Sequence, residues 1–357
     1  LSKNFFKSIV DDLKDADLSI AADGESAGEF SGFIDTGSYT LNAVMSADIY
    51  GGMPDNKITG FAGETSTGKT FFAMGIAKNF LDANPGAGVM YYDTEAAVNK
   101  KMMEERGIDS RRVIIGEPMT VQQFKTKADN FLTKYIETPE KERPKLLMIL
   151  DSLTQLSTSK EMEDTAEGKD TRDMTRAQLA KAAFRVLTLK CARARVPMIV
   201  NAHVYASMGS MYPTNEIAGG TGLKYAASSI AMLSKRKEKD GNEVIGNIIH
   251  VKMWKSRLSR ENKMVDVLLT YDKGLDRYYG LLDMAERYGV IKKVSTRYEM
   301  PDGSKHFGKS IYQEPAKFFT KEILDAINVG VKKEFSYGSS EDATEAEVQQ
   351  LLTEDAE

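Results

Sequence analysis

The stretch "GETSTGKT", Gly63–Thr70, lies between the apolar "NKITGFA" (56–62) and the helix-forming "FFAMGIAKNFL" (71–81), and its reading decides the fold. Glycine, four residues, then Gly-Lys-Thr, set between a strand and a helix, is a phosphate loop in the context that gives the motif its meaning. Gly63 and Gly68 permit turns that point successive backbone N–H groups inward, and the helix starting there adds its positive end. Gly63, Glu64, Thr65, Ser66, Thr67, Gly68, Lys69, Thr70 and Phe71 are expected to hold a nucleoside triphosphate, with Lys69 at the β and γ phosphates and the Thr70 hydroxyl on Mg²⁺.

A magnesium site needs a carboxylate at the end of a neighbouring buried strand. "LLMILDS" (146–152) supplies Asp151 at the carboxyl edge of an apolar run, where open parallel sheets bind ligands. "VMYYDTEA" (89–96) ends a second strand, and Glu95 just beyond it is placed to orient a water for attack on the γ-phosphate. Asp93 is the competing acid.

Further out, apolar runs alternate with helical periodicity, which predicts an α/β fold with a mostly parallel central sheet flanked by helices. The strand candidates are 56–62, 88–94, 113–117, 144–152, 197–203 and 228–236, with helices near 69–82, 97–106, 120–137 and 172–195. After Asn242, "NIIHVKMWKSR" (247–257) and "KMVDVLLTY" (263–271) read as antiparallel strands closing the sheet edge. Residues 280–337, with a Gly-bearing hairpin at "MPDGSKHFG" (300–308), read as a small C-terminal subdomain.

With 357 residues and 41% apolar content, the chain has room for one large core and a smaller unit, and no apolar run is long enough to span a bilayer. A soluble protein without membrane contact is expected. The single cysteine, Cys191, excludes an internal disulfide and fits a reducing cytosol. No secretory signal opens the chain, and Leu1 in place of an initiator Met implies missing residues upstream. Net charge is −4, but the seven acids of residues 338–357 are balanced by no Lys or Arg, so removing their −7 leaves +3 for the rest. The body is mildly basic, and the tail reads as a disordered interaction segment or a solubiliser.

Two long stretches, "STSKEMEDTAEGKD" (157–170) and "VYASMGSMYPTNEIAGGTG" (204–222), leave strand ends on the nucleotide side and read as functional loops. The second offers Tyr205, Met208, Met211 and Tyr212 for stacking on bases, and Gly219 and Gly220 for close backbone approach to phosphates. The first offers Lys160, Lys169 and, just beyond it, Arg172 to phosphates.

The ordered series "LNAVMSADIYGGMP", "GETSTGKT", "YYDTE", "ILDS", "VNAH", "GGTGLKYAAS" and "VKMWKSR" resembles the RecA-type DNA recombinases, and most of all their branch in T-even phages, the UvsX recombinases. The resemblance covers roughly residues 35–300. It implies a P-loop NTPase fold of the RecA type, with ATP and Mg²⁺ as cofactors. It also implies a head-to-tail helical filament that coats single-stranded DNA and pairs it with a homologous duplex. Carried onto this chain, it makes Lys69 and Thr70 phosphate-loop contacts, Asp151 the magnesium carboxylate, Glu95 the water-activating acid and His203 the γ-phosphate sensor. It places Asn99 and Met102 on the adenine side, Met102 standing where bacterial relatives carry an aromatic. The two long stretches become the DNA-binding loops, and Lys255 and Arg257 become cations that reach a neighbour's γ-phosphate from one face of a strand.

The implied organisation is an N-terminal protomer-contact arm (1–35), an ATPase core with DNA-binding loops (36–279), the C-terminal subdomain (280–337) and the acidic tail (338–357). For the N-terminal stretch, a helix packed on its own domain stands beside the arm reading. A recombination mediator and a single-strand-binding protein are the further partners implied, and the cytoplasm of a phage-infected bacterium is the implied compartment. The alternatives for function are a ring-forming DNA motor such as a helicase, a small-molecule kinase, and a regulatory switch that binds ATP without hydrolysing it.

Overall fold

The computed structural model describes residues 2–13, 18–21, 26–169, 175–206, 215–218, 221–240, 243–271 and 274–338. Arg172, Met208, Met211, Tyr212, Gly219, Gly220 and all of the acidic tail but Gly338 lie outside them. The N-terminal elements are α1 (Ser2–Leu13), β1 (Phe33–Ile34), α2 (Tyr39–Ser46) and β2 (Met53–Pro54). The nucleotide-binding half continues with β3 (Ile58–Gly63), α3 (Lys69–Ala83), β4 (Gly88–Asp93), α4 (Lys100–Glu105), β5 (Val113–Gly116), α5 (Val121–Glu137) and β6 (Leu146–Asp151). Then come α6 (Ser159–Ala166), α7 (Arg176–Ala194), β7 (Met198–Ala206), β8 (Asn215–Ile217) and α8 (Thr221–Ala226). The edge strands are β9 (Ser229–Asp240), β10 (Glu243–Ser256), β11 (Met264–Thr270) and β12 (Gly274–Leu275). The C-terminal segment holds α9 (Leu281–Arg287), β13 (Lys292–Val294), β14 (Arg297–Glu299), β15 (Lys305–His306), α10 (Gly308–Gln313), α11 (Pro315–Phe318) and α12 (Lys321–Phe335).

The main sheet runs β12-β11-β10-β9-β3-β7-β6-β4-β5. Strands β9, β3, β7, β6, β4 and β5 are parallel, and β10, β11 and β12 add to the edge antiparallel, as the sequence predicts. Every residue of β6 is buried and all but the terminal Asp151 are apolar, as a parallel strand covered on both faces requires. Its alternate residues divide the core: Leu147 and Ile149 pack with Phe61, Phe72 and Tyr91 on the α3 face, Met148 and Leu150 with Tyr92, Phe124 and Phe184 on the other. Cys191 lies in the second cluster, where burial pushes its thiol up to about 12. No helix among the described residues is long and apolar enough to cross a membrane.

The C-terminal segment has a three-stranded hairpin sheet, β13-β14-β15, but no core of its own, since Leu281, Ile311, Ile327 and Phe335 belong to the α3-face cluster. Asn328 ties the segment down. Its Oδ1 accepts from the Ile49 N–H at 2.9 Å and its Nδ2 donates to Asp48 at 3.0 Å. Asn328→Leu strands the buried Ile49 N–H, so it is expected to cost about 1–3 kcal/mol, read as a lower urea midpoint at unchanged slope.

Two readings of local structure need correcting. Residues 157–170 are not a bare loop: α6 occupies most of the stretch, started by a capping box in which Thr158 accepts from the Glu161 N–H and Glu161 from the Thr158 N–H. Helix α6 buries no residue, so it has no apolar stripe to betray it. The second stretch is likewise ordered at both described ends, where β8 folds back on β7 through Val204↔Ile217 and Tyr205↔Glu216.

Candidate nucleotide site

The strand alternation that divides the core also gathers the chemistry. Tyr91, Asp93, Asp151 and His203 continue the α3-face rows of their strands, and register sets Asp93 beside Asp151 and His203 beside Gly63. They lie toward the carboxyl edge of the sheet, where Asp151 and His203 line a cavity of about 960 Å³. That is near the top of the roughly 300–1,000 Å³ usual for small-molecule sites. Thr65, Ser66, Gly68, Lys69, Thr70 and Phe71 line it with Glu95, Asp151 and His203.

The loop fits a phosphate chain. A Cβ on Gly63 would fall 2.7 Å from both the Leu233 carbonyl and Thr67 Oγ1, and Gly68 has φ +94, so neither position accepts a side chain. Lys69 is 6% exposed, and its ammonium donates to the carbonyls of Gly63 at 3.0 Å and Glu64 at 2.9 Å, which holds it at the cavity wall. Burial lowers its pKa, while Glu95 and Asp151 pull it back up. From β9, Lys235 donates to the Ser66 carbonyl and braces the loop, a contact the sequence gives no signal for.

Thr70 Oγ1 donates to Asp151 Oδ2 at 2.6 Å, and the Tyr91 hydroxyl donates to the same oxygen at 2.7 Å. Burial and the Asp151 charge push Tyr91 well above the usual tyrosine range, so it stays protonated and donating. The Thr70 hydroxyl and the Asp151 carboxylate would suit Mg²⁺, a hard cation that takes oxygen ligands. Among the described residues no three His, Cys, Asp or Glu side chains gather into a self-sufficient metal cage.

Of the two competing acids, the geometry favours Glu95. Asp93 is buried and its oxygens accept the N–H groups of Glu95 and Val98, each at 3.0 Å, so it shapes the turn. Glu95 Oε1 accepts from Ser152 Oγ at 2.7 Å and lies 3.1 Å from His203 Nε2. Burial raises Glu95, but the bonds from Ser152 and His203 and the nearby Lys69 ammonium outweigh it and hold the carboxyl below its usual range. His203 Nδ1 is 3.4 Å from Lys69 Nζ; a proton on Nε2 facing Glu95 leaves Nδ1 to accept.

The other candidates fall elsewhere. Asn99 and Met102 do not line the cavity: the Asn99 side chain caps α4 by accepting the Met102 N–H, and Met102 packs against the core. Lys255 and Arg257 are not on one face of a strand, because β10 ends at Ser256 and Arg257 lies beyond it. They remain neighbours, since burial and the Arg257 charge lower Lys255, whose ammonium donates to the carbonyls of Lys224 and Ala227. Neither lines this chain's own nucleotide cavity. Lys160 is exposed, and Lys169 pairs with Glu167. Tyr205 is 52% exposed and its hydroxyl donates to Glu216.

A phosphate loop opening a helix at the carboxyl edge of a sheet of this order defines a P-loop NTPase fold. A family model described as the RecA N-terminal domain matches residues 15–276, and the chain belongs to the RecA family. It is 29% identical over 334 residues to the "Recombination and repair protein" of Enterobacteria phage T4, covering 89% of this chain and 83% of that one. It is 26% identical over 320 residues to "Protein RecA" of Streptomyces venezuelae, covering 88% and 79%. Over 319 residues it is 26% identical to "Protein RecA" of Chloroherpeton thalassium, covering 87% and 84%.

Proposed function

We propose that the protein is an ATP-dependent DNA recombinase: a DNA-stimulated ATPase that forms helical filaments on single-stranded DNA and pairs it with a homologous duplex. The observation that carries this reading is the contact chain from Lys69 to His203 to Glu95. His203 ends its contact row on β7, and β7 runs straight on through Tyr205 into the stretch assigned to DNA. A change at the γ-phosphate end thus has a short mechanical route to that stretch. Lys69 would hold the β and γ phosphates, and Thr70 and Asp151 would hold Mg²⁺, which supplies neutralising charge on the phosphates. Glu95, ionised and fixed by Ser152, takes the proton of the attacking water.

Two features support self-association. The apolar face of α1 is uncovered, with Phe5, Phe6 and Leu13 each 60% exposed, which favours the arm reading over a helix packed on its own domain. Lys255 and Arg257 do not line the cavity of their own chain, which is consistent with action on a neighbour's. A head-to-tail contact that does not close gives a helical filament. A mediator and a single-strand-binding protein as partners, and the infected bacterial cytoplasm as the place of action, are inferred from the likeness to the phage T4 protein. The hydrogen-bonded Glu95 counts against a switch that only binds ATP. Lys69→Ala is expected to lower ATP hydrolysis on single-stranded DNA by about 10²–10³-fold, the loss typical of one preorganised charge-stabilising group. Normal turnover in that variant would remove the phosphate-loop assignment.

A further inference from the structure

The wall expected to meet the base of the nucleotide holds a different residue from the one in the sequence motif. Met102 has turned into the core, and Asn99 serves the cap of α4. Arg106, the C-cap residue of α4, stands four positions after Met102, just past the last helical residue, Glu105. It lines the nucleotide cavity, with its guanidinium carbon 4.3 Å from the centroid of the Phe71 ring, which lines it too. Phe71 is 38% exposed and comes directly after Thr70, so the stack begins one residue from the phosphate end. Among the described residues the Arg106 guanidinium has no hydrogen bond or carboxylate partner, although the neighbouring Lys101 and Lys100 both have carboxylates in reach. Further along α3, Gly75 lines the cavity and a Cβ built on it meets nothing within 4 Å, so the space beside the stack is open.

We propose that the base of the bound nucleotide stacks on the Arg106–Phe71 pair, with the guanidinium plane taking the place of the aromatic ring that Met102 does not provide. This rests on the ATPase reading and deepens it. A triphosphate anchored at Lys69 must extend its nucleoside along the cavity, and a planar, weakly hydrated cation offers any purine a face to stack on. A guanidinium used as a surface reads no hydrogen-bonding edge, so adenine and guanine are accepted alike. Because Phe71 holds Arg106 in place, less rotamer freedom is lost when the base arrives.

Titration calorimetry in Mg²⁺ with ATP, GTP and inorganic tripolyphosphate tests the assignment on the wild-type chain, Arg106→Ala and Arg106→Lys. The expected result is that ATP and GTP bind the wild type within about threefold of each other, and that both substitutions weaken both nucleotides about tenfold while tripolyphosphate is unchanged. Lysine fails with alanine because an ammonium has no plane. Equal losses for tripolyphosphate would mean that Arg106 acts on the phosphates, and unaltered nucleotide affinity would mean that it does not meet the base; either overturns the proposal while the ATPase reading stands. A wild-type chain that binds none of the three would overturn both together.

Discussion

Alanine at both Lys255 and Arg257 is expected to reduce DNA-stimulated ATP hydrolysis by about 10³–10⁵-fold, the range for cations supplied across an interface to a transferring phosphoryl group. ATP binding by the isolated chain should be unchanged. The reason is positional: neither residue lines the cavity around Lys69, and Lys255 is fastened to the carbonyls of Lys224 and Ala227. DNA would act by aligning protomers so that these cations meet a neighbour's site, a shift of population toward one assembled state. Those two carbonyls lose their donor in the variant, so nucleotide affinity and thermal unfolding serve as the check on its fold. Mixing sharpens the test. The double variant keeps its own phosphate loop, and a Lys69→Ala partner keeps its cations, so the mixture should hydrolyse faster than either alone. No rescue, in filaments where microscopy finds both proteins, would put the cations outside the neighbour's site.

Glu95→Gln is expected to slow hydrolysis by about 10²–10⁴-fold with ATP affinity nearly unchanged, since the base is lost while the phosphate cradle stays whole. The variant should remain on DNA longer, held in its ATP-bound form. Asp93→Asn makes the contrasting case. Its carboxylate receives two backbone N–H groups, so the amide should lower stability more than turnover. A folded Asp93→Asn protein with the catalytic loss expected of Glu95→Gln would show that the wrong acid has been assigned. The pH dependence comes from the same contacts. Glu95 is held below the usual carboxylate range, so the base stays ionised as pH falls through that range, and hydrolysis is expected to decline only below it.

The sheet was legible because its signals are local and doubly determined. An apolar run such as "LLMILD" can only be a strand covered on both faces, and a glycine pattern between strand and helix fixes the conformation of the loop and the start of α3. The same alternation placed Asp151, Glu95 and His203 around one cavity. The hidden features depended on contacts distant in sequence. Nothing in "VMYYD" tells that Tyr91 shares an oxygen of Asp151 with Thr70, and nothing in "SSIAMLSKR" tells that Lys235 braces the loop at Ser66. Strand alternation did not reach from Lys255 to Arg257, because β10 ends between them at Ser256. The family resemblance points to Met102, but which side of α4 meets the core is set by contacts distant in sequence that no motif encodes. Helix α6 does carry a visible signal, the Thr158-x-x-Glu161 box, but it buries no residue and so lacks the apolar stripe that marks a core-facing helix.

The measurement that bears most directly on recombinase function is formation of joint molecules between a circular single strand and a linear duplex. With ATP and Mg²⁺, the wild-type chain should convert a homologous pair into joint molecules. It should leave a non-homologous pair untouched, and Lys69→Ala should yield none with either. Single-stranded DNA that stimulates hydrolysis without any homology-dependent joint molecules, above all with closed rings in place of helical filaments under the microscope, would contradict the recombinase reading and point to a DNA motor instead.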